Sequence, residues 1–134
     1  MKHKELTHAV IGCAMKVHST LGSGFQEVIY QQALAIELAN SNIEFEREKE
    51  MDIFYSGECI GTRRVDFLID GFLIVELKAI SVIDDSHVAQ TMNYCEAFDV
   101  SLGLLLNFGS KKLEFKRIYN TNHEENSSYN PYIL

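Results

Sequence analysis

The segment Phe72-Leu73-Ile74-Val75-Glu76-Leu77-Lys78 constrains the chain most. A strand that is almost wholly apolar has no face to offer water, so it must be covered on both sides. That requirement points to a sheet with helices packed against it. Glu76 interrupts the run. Because side chains alternate along a strand, Glu76 and Lys78 share one face while Val75 and Leu77 take the other. Burying either charged group alone costs several kcal/mol, so a pair on a core strand needs a reason to be there. Spacing by itself leaves a second reading open, a surface Glu-Lys pair closing an edge strand.

Periodicity supplies the rest of the architecture. Leu6, Val10, Cys13, Val17 and Leu21 recur at helical spacing, and Gly22-Ser23-Gly24 breaks the pattern. A second helical stretch, rich in Ala, Leu, Glu and Gln, runs from about Gln26 to Ala39 and stops at Asn40-Ser41-Asn42. From Ile43 the period becomes two, through Phe45, Ile53 and Tyr55, with a turn at Ser56-Gly57. Val65, Phe67 and Ile69 then alternate against Arg64, Asp66 and Leu68, and Asp70-Gly71 turns the chain into the apolar strand. Asp84-Asp85-Ser86 offers N-cap oxygens to a helix from about His87 to Phe98, with Val88, Met92 and Cys95 as its apolar side. Leu102 to Leu106 reads as a buried strand and Leu113 to Tyr119 as a half-exposed one. The expected fold is α/β, a mixed central β-sheet flanked by helices. Residues 1–119 form the domain, and the polar remainder 120–134, with His123, Asn126, Ser127, Ser128 and Pro131, is expected to be a mobile or loosely docked tail.

At 134 residues, 46% hydrophobic and 23% charged, the chain has the balance of one compact domain. No run is long and apolar enough to span a bilayer, and the start, Met1-Lys2-His3-Lys4-Glu5, lacks a secretory signal, so a cytoplasmic protein without membrane association is expected. Cys13, Cys59 and Cys95 are odd in number and far apart, which favours packed free thiols over disulfides or a zinc site. The net charge of −7 opposes simple electrostatic binding of nucleic acid. Distribution matters more than the sum. Glu44, Glu46, Glu48, Glu50 and Asp52 crowd one stretch, whereas Arg63-Arg64 and Lys111, Lys112, Lys116 and Arg117 are basic.

Whether Asp66 joins Glu76 is a question of parity. A two-residue Asp70-Gly71 loop pairs Asp66 with Val75 and puts the carboxylates on opposite faces. A three-residue Ile69-Asp70-Gly71 loop, with Gly71 left-handed, pairs Asp66 with Ile74 and puts both on one face. The odd loop, or an equivalent bulge, is the expectation. Oxygen ligands of this kind suit Mg²⁺ or Mn²⁺. Such an ion polarises a phosphate and activates water, while Lys78 orients that water or offsets charge on the phosphate.

Asp66 followed by Glu76-x-Lys78 resembles the core motif of the PD-(D/E)XK nuclease superfamily. Gly24-Phe25-Gln26-Glu27-Val28-Ile29-Tyr30 resembles the signature of the GxxExxY family of small prokaryotic proteins placed in that superfamily. The likeness extends through the Leu21-Gly22 turn, Ala33 to Leu38, Val75 to Ala79 and Leu105-Leu106-Asn107-Phe108-Gly109. It implies a restriction-endonuclease-like core and a divalent-metal-dependent nuclease. The lambda-exonuclease-like and RecB-like branches also carry a helix-borne acid before the sheet and a QxxxY motif after it. Glu27 is similar to the first, and Gln90-Thr91-Met92-Asn93-Tyr94 to the second. Gln90 and Tyr94, four apart, do share a helical face.

The resemblance thus implies catalytic roles for Glu27, Asp66, Glu76, Lys78, Gln90 and Tyr94. It implies metal contacts from Glu27, Asp66, Glu76 and the Leu77 carbonyl, and DNA or RNA as partner. Each has a plainer reading. Glu27 near a helix start complements the helix dipole, and Gln90 and Tyr94 are ordinary half-exposed helix residues. Tyr30 either packs beside the site or hydrogen-bonds Glu27. The histidines show no metal-ligand spacing, and His87, three residues before Gln90, is the one that could face the same cleft. The rival to an enzyme is a binding module that keeps the nuclease fold. A homodimer through an exposed face of the first helix, or through an edge strand, is also open.

Overall fold

A computed structural model describes residues 3–126. In chain order the elements are α1 (His3–Leu21), α2 (Glu27–Asn40), β1 (Phe45–Tyr55), β2 (Glu58–Ile69), β3 (Leu73–Lys78), α3 (Asp85–Ala97), β4 (Leu102–Asn107) and β5 (Glu114–Tyr119), with a short 3₁₀ turn at Glu124–Asn126. The five strands form one sheet in the order β1-β2-β3-β4-β5. Only β3 and β4 run parallel, and α3 makes the crossover that such a pair needs. The sheet is therefore mixed, as the strand-helix-strand order implies.

Both faces of the sheet are covered at β3 and β4, which accounts for the apolar run of β3. On one side Phe67, Ile69, Leu73, Val75, Leu77, Leu104 and Leu106 meet Leu6, Val10 and Val17 of α1 and Tyr30, Leu34 and Leu38 of α2. The apolar stripe of α1 is thus spent in the core. On the other side Leu68 and Ile74 pack with Cys95 and Val100. The buried residues of α3 are Thr91 and Cys95, while Val88 and Met92 are only half-buried. Gly103 permits that contact, since a Cβ there would lie 2.8 Å from Cys95 Sγ and 2.9 Å from Thr91 Cγ2. Burial pushes the Cys95 thiol up to about 12. Cys59, by contrast, is exposed rather than packed.

The β2–β3 hairpin has the odd loop that the two carboxylates require, displaced by one residue from the expected position. Ile69 pairs with Leu73, Leu68 with Ile74 and Phe67 with Val75, so the loop is Asp70-Gly71-Phe72. Asp70 and Gly71 both adopt positive φ, 52° and 76°, and Phe72 N–H donates to Ile69 O to close the turn. Phe72 is the extra residue. The paired ladder ends at Phe67 and Val75, one residue short of Asp66 and Glu76, and Ile74 pairs with Leu68 rather than with Asp66.

The segment after Tyr119 starts firmly anchored. Asn120 is buried, and its side-chain amide donates to Cys95 O and Val100 O. Asn126 Nδ2 donates to Ser101 O and Asn120 O. The remainder of the expected tail, including Ser127, Ser128 and Pro131, lies outside the described residues. Among the described residues no helix is long and apolar enough to cross a membrane.

Candidate active site

Asp66 sits where the alternation of β2 breaks. Val65 belongs to the cluster on the α3 side of the sheet, whereas Phe67 belongs to the α1–α2 side. Strict alternation, expected of Val65, Phe67 and Ile69, therefore fails between the first two. Across the ladder, Arg47 pairs with Phe67 and Lys49 with Val65, and the intervening Glu48 takes a left-handed φ of 53°. Such a conformation is strained for a residue with a side chain and marks a local kink. The Asp66 carboxylate reaches both β3 and α2. Its Oδ2 accepts from the Leu77 N–H of β3 at 2.8 Å. Its Oδ1 accepts from Gln31 Nε2 at 2.8 Å, and Gln31 Oε1 in turn accepts from Arg47 Nε at 2.9 Å.

Glu76 lies against Asp66. It is only 7% exposed, and its Oε1 has no hydrogen-bond partner among the described residues. Burial first, and then the neighbouring Asp66 charge and a hydrogen bond to its carboxylate, push the Glu76 carboxyl up to about 9. It holds a proton at neutral pH. Lys78 opposes that shift, as it does the smaller rise of Glu27. Glu27 is the first residue of α2 and is exposed overall. Partial desolvation raises it, Lys78 lowers it and Asp66 raises it further. The four expected groups Glu27, Asp66, Glu76 and Lys78 therefore share one electrostatic neighbourhood. Among the described residues no group of three or more His, Cys, Asp or Glu is disposed to hold a metal ion.

A rigid corner backs Lys78. Its carbonyl accepts from Phe108 N, and Asn107 Oδ1 accepts from Ile80 N and Gly109 N, each at 3.0 Å. Asn107 Nδ2 donates to Glu114 Oε1, which also accepts from Ile83 N. A Cβ at Gly109 would fall 2.3 Å from Ile80 N and O, so this close passage of two backbones demands glycine. Of the two roles open to Tyr30, packing is the one observed, and its described hydrogen bonds do not go to Glu27. Its hydroxyl donates to Gly22 O and accepts from Phe25 N, and its ring stacks on Phe108 at 4.7 Å. It pins the α1–α2 connection and so sets where Glu27 emerges.

The α3 residues are separated from the carboxylates by degree. Tyr94 is half-buried, and its hydroxyl is raised by desolvation and then by the charge of Glu76, with Arg63 opposing and hydrogen-bonding it. Gln90 is exposed and lines the adjoining cleft with Tyr94 and Arg63, and no described hydrogen bond joins it to Lys78. His87 is a helix cap, with Nδ1 accepting from Asp84 N while Asp84 Oδ1 accepts from Ser86 N and His87 N. Sequence reasoning missed Gln31 and Arg47. The signal for Gln31 was present, since it is four residues after Glu27 and shares its helical face.

Three helices about a five-stranded mixed sheet, with a strand-borne Asp66/Glu76-x-Lys78, are consistent with a nuclease core. The family model of the PD-(D/E)XK nuclease superfamily matches residues 4–118, and the chain belongs to that superfamily. No curated protein matches it. The crystal structure of SSO0001 is similar, with a TM-score of 0.52 at 21% identity over 69% of this chain and 50% of that one. This likeness speaks to the fold alone. The chain spans half the length of that relative.

Proposed function

We propose that the chain is a divalent-metal-dependent nuclease that hydrolyses phosphodiester bonds of DNA or RNA. The observation that carries this reading is the carboxyl pair. Glu76 is buried with an unpartnered oxygen, and it faces an Asp66 whose orientation is fixed by Leu77 N–H and Gln31. Two carboxyl groups side by side in a core are unfavourable, and for structural purposes an apolar pair would serve better. A dication reverses that sign, because it takes over the neutralisation that a proton otherwise provides.

The donor set fits Mg²⁺ or Mn²⁺, which bind through one or two carboxylates and leave positions for water and substrate phosphate. Asp66 and Glu76 would hold the ion, with the Leu77 carbonyl as a further ligand and Glu27 positioning it through water. When bound, the ion supplies Lewis-acid stabilisation of the phosphoryl group and a nucleophilic water at neutral pH. Lys78 orients that water and offsets charge that builds on the phosphate. Gln31 and Arg47 keep Asp66 from rotating. Gln90 orients water from the cleft side, and Tyr94 braces a phosphate. The exposed Arg63, Arg64, Lys111, Lys112, Lys116 and Arg117 offer the phosphate contacts that the net charge of −7 conceals.

The test incubates the protein with single-stranded and duplex DNA and RNA in Mg²⁺, Mn²⁺ or chelator, beside Glu76→Ala and Lys78→Ala. Metal-dependent cleavage that disappears in both variants supports the assignment. Cleavage indifferent to both belongs to a contaminant, and no cleavage of any substrate leaves a binding module on a nuclease fold.

A further inference from the structure

Beside the carboxylates, between the β1–β2 ribbon and α3, lies a cleft of about 560 Å³. That is the size range of small-ligand sites. Its α3 wall is uncharged, with Gln90, Asn93 and Tyr94 presented over the small side chains of Ala89 and Ala97. Arg63 stands on the ribbon wall. Two carboxamides three residues apart on one helical face each offer a donor and an acceptor, the combination that matches the polar edges of nucleobases. Tyr94 adds an aromatic ring, backed by Phe98 at 6.1 Å. Base stacking on such rings is tolerant of sequence. Arg63 contacts the Tyr94 hydroxyl and makes no ion pair among the described residues, whereas its neighbour Arg64 is engaged by Glu50 at 3.7 Å. A guanidinium so placed suits a phosphate or the face of a base.

The cleft and the carboxylates share a wall. Tyr94 interacts electrostatically with Glu76 and Asp66, and Arg63 precedes Asp66 by three residues on β2. A nucleotide bound at the carboxylates therefore has its neighbour at the cleft mouth. A base can enter only if its pairing edge is free.

We infer that the cleft between the ribbon and α3 is a nucleobase subsite, which takes an unpaired base of single-stranded nucleic acid beside the phosphate held at the carboxylates. The position of that phosphate rests on the nuclease reading above, but base recognition is measurable without cleavage.

The experiment measures binding of labelled single strands of DNA and RNA, with Ca²⁺ in place of Mg²⁺, against abasic chains of the same length and charge. The wild type is expected to prefer the base-bearing strands by about tenfold, the worth of one stacked base. Ala97→Trp, at an exposed position, fills the cleft and should abolish that preference while leaving affinity for the abasic chain unchanged. Asn93→Asp, also exposed, should weaken base-bearing strands selectively and guards against a folding defect in the first variant. Equal affinity for abasic and base-bearing chains, failure to bind any single strand, or a preference unaltered in both variants would overturn the inference. If base preference is found but no substrate is cleaved, the subsite stands and the nuclease reading falls. If cleavage occurs without base preference, the reverse holds.

Discussion

Replacing Glu76 by glutamine removes a buried carboxyl whose proton the folded chain holds far more tightly than the unfolded chain does. Below the ordinary value of 4.5 both states carry the proton, and nothing is lost by ionisation. As pH rises from there toward about 9, the unfolded chain releases the proton while the folded chain keeps it, so wild-type stability falls across that window. The slope is about 1.4 kcal/mol per pH unit, which accumulates to about 3 kcal/mol near neutrality. The substituted amide has no such titration, and it still donates a hydrogen bond toward Asp66. The Glu76→Gln variant should therefore gain on the wild type progressively as pH is raised, by up to about 3 kcal/mol at neutral pH. Urea unfolding of both proteins at several pH values between about 5 and 8 measures the difference, in which titrating groups remote from Glu76 cancel. Added Mg²⁺ should shrink the gap, because the cation stabilises the ionised wild type and has less to hold in the variant. A stability difference independent of pH would refute the reasoning.

Gln31→Leu keeps the volume but strips Asp66 of a donor and Arg47 of an acceptor. It should cost about 1–3 kcal/mol in urea unfolding and lower metal affinity measured by titration calorimetry. Gly109→Ala drives a methyl into the Ile80 backbone, and a loss of about 1–3 kcal/mol in thermal or urea unfolding is expected. Tyr30→Phe keeps the stack on Phe108 but deletes the hydroxyl that joins Gly22 O to Phe25 N–H. Faster amide hydrogen exchange in the α1–α2 connection, without change at β3, is the expected outcome.

Most of the fold is legible because its signals are local. The apolar run of β3, the helical stripe of α1 and the Asp84 cap each depend on residues close in sequence. The odd hairpin loop is legible too, since only one parity brings Asp66 and Glu76 together. Which residue is extra is not, because that depends on Asp70 accepting a left-handed φ beside Gly71. The kink at Glu48 and Asp66 leaves no pattern in hydrophobicity, as it is imposed by what β1, β2 and β3 do to one another. Spacing sets Gln31 on the helical face of Glu27 without revealing its bond to Asp66, and the contacts of Arg47 and Tyr30 are long-range or backbone contacts that no spacing rule reveals. Asn120 looks like the first residue of a polar tail, yet its amide satisfies two carbonyls, one in the last turn of α3 and one in the connection from α3 to β4.

Whether Asp66 and Glu76 hold a divalent cation is settled most directly by anomalous scattering from crystals grown with Mn²⁺. A single strong peak between the two carboxylates, absent in Asp66→Asn, is the expected result. A peak elsewhere, or none at this pair with Mn²⁺ in excess, would contradict the assignment of the site.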